Sequence, residues 1–143
     1  MNPNRLLPLL ASAWLGLLLS IGLLAAPSAF RVLDRPLAGS LVARLFAGEA
    51  ATSLVLCLLA VALERWRFRI IGSPPTLNRP ILLALGALFC TVAGYYALQP
   101  MMEAARAAQG ALSFGQLHAL SLGFYAVKVA LVGLLAWTSS GRD

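Results

Sequence analysis

The chain has 143 residues, 60% of them hydrophobic and only 11% charged, whereas a water-soluble domain carries about a quarter charged residues on average. That excludes a soluble domain and makes lipid the solvent. At about 20 residues per span, four spanning helices use most of the length and leave no room for a separate soluble catalytic domain. The net charge of +6 comes from arginines scattered over loops and helix ends. That pattern excludes a nucleic-acid surface and fits contact with anionic lipid.

The first apolar run is Leu6 to Ala26, after Arg5 and before Pro27. It is longer than the apolar core of a cleaved signal peptide, which has about 7–15 residues, so a retained helix is expected. The second run, Leu41 to Leu63, follows the polar stretch Arg31 to Pro36 and contains Arg44 and Glu49. Next come Glu64 to Pro75, where arginine alternates with Trp66 and Phe68. Such alternation suits a headgroup belt, and Pro74-Pro75 predicts a turn. The third run, Ile81 to Leu98, lies between Pro80 and Pro100. Proline fits the first helical turn, and a second one past the end stops the helix. The loop from Gln99 to Ser113 is alanine-rich over Pro100 to Gly110, and Glu103 and Arg106 are three apart. It predicts a short interfacial helix ending at Gly110, with those two side chains able to pair. The fourth run is Phe114 to Trp137. The expectation is therefore an all-α four-helix transmembrane bundle, one domain over residues 1–143, with spans 6–26, 41–63, 81–98 and 114–137.

Orientation follows from counting arginines. With both termini cytoplasmic, the inner side carries Arg5, Arg65, Arg67, Arg69, Arg79 and Arg142, and the outer side Arg31, Arg35, Arg44 and Arg106. The excess favours N-in and C-in, in a cell inner membrane. Small residues recur every four positions as Ser12, Gly16 and Ser20 and as Gly86, Cys90 and Gly94. Such ridges bring helix backbones close, within one bundle, in a homodimer or against another membrane protein.

Ionisable groups in hydrocarbon cost about 2.5–3.5 kcal/mol on insertion scales. Four are present: Arg44, Glu49, His118 and Lys128. Measured from the start of each apolar run at about 1.5 Å per residue, His118 lies roughly 6 Å deep, Glu49 roughly 12 Å and Lys128 roughly 21 Å. Arg44 is one turn in and can snorkel outward, as Lys128 can inward. His118, Ser121, Tyr125 and Lys128 follow spacings of 3, 4 and 3, one stripe of a helix. Glu49, Thr52 and Ser53 form a stripe on the second helix, and Tyr95 and Gln99 a polar edge on the third. These residues predict a polar seam in which Glu49 meets either His118 or Lys128. A structural pair fixing helix register and a path for an ion or small solute are both open.

Chemical motifs are sparse. No serine or cysteine sits at a nucleophile elbow and no glycine-rich phosphate loop occurs, so no catalytic residue is assigned and an enzyme is the less favoured class. Cys57 and Cys90 lack metal-ligand spacing, no metal site is expected, and no cofactor is predicted. Haem on His118 is an alternative, with Met101, Met102 or a dimer mate as second ligand; so is a small interaction subunit of a larger membrane complex.

Several short motifs carry a family resemblance: Ala26-Pro27-Ser28-Ala29-Phe30, Ala38-Gly39, Leu45-Phe46, Tyr95 to Met102, and Phe114-Gly115-Gln116-Leu117-His118-Ala119-Leu120-Ser121. Together they resemble the bacterial four-helix domain of unknown function related to eukaryotic transmembrane protein 205, over nearly the whole chain. The most specific part is Phe-x-x-x-His-x-x-Ser, at Phe114, His118 and Ser121. The resemblance implies a four-helix membrane fold and no activity that carries over. The eukaryotic relative's association with platinum-drug resistance and vesicle traffic hints at soft metals. A weaker similarity, to membrane proteins of the HemJ type that oxidise protoporphyrinogen, calls for a histidine in the first span; Leu6 to Ala26 has none.

Overall fold

The computed structural model describes residues 3–72, 74 and 76–141. Four helices are long and apolar enough to cross a membrane: Arg5–Val32, Arg35–Ile71, Arg79–Arg106 and Phe114–Ser140. The chain is a multi-pass membrane protein. Its helices form a ring in chain order, each packed on the next and the fourth on the first. The Leu33–Asp34 and Ala107–Ser113 connections close one end, called here the double-loop end. The start of the first helix, the end of the second, the start of the third and the end of the fourth are at the other.

The helices outrun their apolar runs. Arg65 to Ile71, expected to be loop, is helical and completes a 37-residue second helix, about 55 Å long at ~1.5 Å per residue. It stops at Gly72, whose φ of 71° is the left-handed conformation glycine adopts without strain. Pro75 of the predicted turn and Arg142 of the arginine count lie outside the described residues.

The expected interfacial helix is not a separate element. Leu98–Arg106 continues the third helix, because neither Pro27 nor Pro100 ends a helix here. A proline ring collides with the carbonyl four residues back, which is Leu23 for Pro27 and Tyr96 for Pro100. Both carbonyls sit in π-helical stretches, Ser20–Ala25 and Val92–Ala97. The wider π turn gives the ring room, and the helix runs on. The third helix instead ends in a Schellman turn at Ala107–Gln109: Gln109 N–H donates to Ala104 O at 2.9 Å and Ala108 N–H to Ala105 O at 3.2 Å. The third and fourth helices are capped at their starts by side chains. Asn78 accepts from Ile81 N–H, and Ser113 and Gln116 form a reciprocal capping box.

Packing is uneven along the bundle axis. Leu7, Ala11, Trp14 and Leu18, with Cys57, Ala60, Ala84, Ala87, Val132, Leu135 and Ala136, fill the half near the termini. Near the double-loop end a smaller cluster of Leu98, Met102 and Leu117 joins only the third and fourth helices. Between the second and fourth helices, which face each other across the ring, that half is hollow.

Of the two small-residue ridges, that of the third helix packs inside the bundle. A Cβ added to Gly94 would stand 2.5 Å from Phe124 Cβ, and one on Gly86 3.1 Å from Leu131. Ser12, Gly16 and Ser20 lie exposed on the outside of the first helix.

Candidate functional site: a cavity that ends at an ion pair

The hollow half encloses a cavity of about 290 Å³ whose lining includes Glu49, His118, Ser121, Tyr125 and Lys128, as well as Tyr95, Gln99 and Arg106. Its deep end is the ion pair. Lys128 Nζ donates to Glu49 Oε1 at 2.8 Å and to Oε2 at 2.9 Å. Both residues are 3% exposed, so Lys128 does not snorkel. Ser53 Oγ donates to Glu49 Oε1 at 2.5 Å, and Trp14 Nε1 donates to Ser53 Oγ at 2.9 Å. A hydrogen-bonded chain thus crosses the bundle from the first helix through the second to the fourth. The Tyr125 ring lies 4.9 Å from the ammonium, which adds a quadrupole contact to the cation.

The fourth helix also ties to the first just before its π-helical stretch and to the third within its own. Tyr125 Oη donates to Leu18 O at 2.7 Å and Ser121 Oγ to Gly94 O at 2.8 Å. The Tyr125 ring rests against Gly22, where a Cβ would come within 3.0 Å of it, and its edge meets Phe46. Ser121 and Tyr125 are therefore hydrogen-bonded to the scaffold as well as lining the cavity.

Other groups face the cavity without such ties. Among the described residues, no hydrogen bond holds Tyr95 Oη, the Gln99 amide, the Arg106 guanidinium or the His118 ring. His118 stacks on Phe114 with centroids 5.8 Å apart, and the Arg106 guanidinium lies 4.7 Å from the centroid of the same ring. Arg106 takes this place instead of the expected pairing with Glu103; among the described residues the ion pairs are Glu64–Arg67 and Glu49–Lys128. Arg44 is exposed and lies off the cavity lining, and Thr52 turns outward to donate to Gly48 O.

Cys90 and Met102 also line the cavity, whereas Cys57 donates to Ala84 O in the packed half. Among the described residues, no group of three or more His, Cys, Asp or Glu side chains could hold a metal ion. A second polar cluster lies outside the seam. Glu64, 1% exposed, accepts from Arg67 Nε and Nη2 at 3.1 and 2.8 Å and from Asn78 Nδ2. It fastens the end of the second helix to the cap of the third. The sequence marked Glu64 only as the start of a loop. Its signal was an acid one helical turn before Arg67 at the end of an apolar run.

A family profile described as "Domain of unknown function (DUF4149)" matches residues 9–111. The matched region takes in Glu49, Tyr95, Gln99 and Arg106 and stops short of the fourth helix. No curated protein and no solved structure matches the chain.

Proposed function

The chain belongs to the DUF4149 family of unknown function, and on that premise we propose that it is an intramembrane binding protein that admits a small solute to the cavity above Glu49 and Lys128. The carrying observation is a hollow of about 290 Å³ lined by both partners of a buried ion pair. A pair serving only to fix helix register needs close packing around it. This one has close packing on one side and, on the other, an open space that several polar side chains line. Tyr95, Gln99 and the exposed His118 and Arg106, none hydrogen-bonded within the described residues, supply hydrogen bonds and charge to whatever enters, as in binding cavities generally.

The proposal includes a cell inner membrane with both termini cytoplasmic, which puts the double-loop end outside. Its support is the arginine distribution, with Arg65, Arg67, Arg69 and Arg79 close together about the 72–78 connection. It also includes the relation to the transmembrane protein 205 group, supported by the Phe114, His118 and Ser121 spacing.

Cys90 provides the test, since it lines the cavity and Cys57 does not. In a Cys57→Ser background, a small charged methanethiosulfonate is expected to label Cys90 in the folded protein. Ser121→Trp, which fills the space, is expected to slow that labelling. Labelling that appears only after unfolding would overturn the proposal.

A further inference from the structure

Beside the cavity lies a second hollow of about 530 Å³, a groove between the first and fourth helices. Leu18, Leu19, Leu23 and Pro27 line one side, and Ala126 and Val129 the other. Gly22 opens it where the first helix takes its π-helical turn. The two spaces share a wall of six residues: Phe30, Val42, Phe46, His118, Leu122 and Tyr125. Both are lined mainly by apolar surface, and the charged side chains Glu49, Arg106 and Lys128 line only the first. The second is apolar apart from His118 and the Tyr125 hydroxyl. From His118 to Val129 the groove runs along the fourth helix for about 16 Å at ~1.5 Å per residue.

Charge decides what suits the pair of spaces. Lys128 and Glu49 neutralise each other at the deep end. Arg106 is left as a cation without an ion-pair partner among the described residues, held over the Phe114 ring on which His118 also stacks. Tyr95 and Gln99 add hydrogen-bonding groups on the third helix. The charge and hydrogen-bonding groups of the cavity suit an anionic head, and the groove past the shared wall suits a single apolar chain.

We propose that the cavity and groove together form one site for a single-chain anionic amphiphile, a long-chain carboxylate, with its head at Arg106 and His118 and its chain between the first and fourth helices. The assignment rests on the binding role proposed above and names its ligand class. Charge complementarity at Arg106 and the shared wall at His118 carry it.

The test uses the full chain in phosphatidylcholine nanodiscs with the fluorescent fatty acid cis-parinarate as probe. Saturable binding is expected, with displacement by palmitate and not by acetate, which lacks the chain, or methyl palmitate, which lacks the charge. Arg106→Ala is expected to weaken binding about tenfold or more, as loss of a charge-assisted hydrogen bond does; Arg106→Lys restores much of it. Ala126→Trp, an exposed position lining only the groove, is expected to abolish binding. Palmitate is also expected to slow Cys90 labelling by closing the way to it. Equal displacement by palmitate and methyl palmitate, or no saturable binding, would overturn the assignment. Cys90 labelling then separates the two proposals: a labelled Cys90 with no carboxylate binding sinks the ligand and leaves the cavity's binding role standing.

Discussion

Lys128 and Glu49 meet across the diagonal of the ring, from helices that run parallel and face each other through the bundle centre. Phe46 and Tyr125, one turn nearer the double-loop end, repeat the same pairing of helices. The lysine stem thus spans a gap that backbone packing leaves open. Its ammonium is bound to both carboxylate oxygens at 2.8 and 2.9 Å.

Removing one partner of such a pair leaves a lone charge where solvation is poor, which costs about 3–5 kcal/mol, whereas replacing both is often near neutral. Glu49→Gln and Lys128→Met are each expected to lower the thermal midpoint in detergent sharply. The double variant is expected to recover most of the loss. Additive losses in a double-mutant cycle would show that the two residues act independently.

The two small-residue ridges give opposite expectations. Gly94→Ala places a methyl against Phe124 Cβ, which cannot swing away, so overpacking of about 1–3 kcal/mol is expected. Gly16 has nothing within 4 Å of its would-be Cβ, and Gly16→Ala is expected to leave the monomer's stability unchanged or slightly raised. Thermal denaturation of both variants side by side checks the contrast. Equal effects would mean that the third and fourth helices do not approach as described.

Ala108 has φ of 57°, the left-handed conformation, at the position where the third helix ends. A non-glycine residue there costs about 1–2 kcal/mol, and Gly72 avoids that cost at the end of the second helix. Ala108→Gly is expected to stabilise the protein by about 1 kcal/mol, read as a higher thermal midpoint. No gain, or a loss, would rule out this turn.

The number of spans was legible because apolar runs need nothing beyond one helix to be read, and a 3-4-3 spacing likewise puts His118, Ser121, Tyr125 and Lys128 on one face, whereas Thr52 of the second helix turns outward. The choice of partner for Glu49 was not legible. Depth was measured from apolar run starts, Leu41 and Phe114, which set Glu49 well above Lys128. The second helix starts six residues earlier, at Arg35. Arg35 to Glu49 and Phe114 to Lys128 are then the same 14 steps, about 21 Å each, and the two charges are level. The prolines misled for a related reason: Pro27 and Pro100 read as stops, and only the π-helical stretches before them show why the helices continue. The groove could not be read at all, since it comes from a glycine on one helix facing a tyrosine on another. Glu64 escaped because its partner Asn78 lies across a connection that sequence alone does not fold.

The diagonal pair also sets an order of events in biosynthesis. Glu49 precedes Lys128 by 79 residues, and at about 5–20 residues per second of synthesis the counter-charge follows roughly 4–16 s later. Until then, a carboxylate in the second helix has no ammonium to meet, and a charge alone in hydrocarbon is penalised. Ser53 and Trp14, made alongside it, give the waiting carboxyl a hydrogen-bonded anchor. Until the fourth helix is made, that carboxyl has, among the described residues, only Ser53, and through it Trp14, to hold it in the first hairpin.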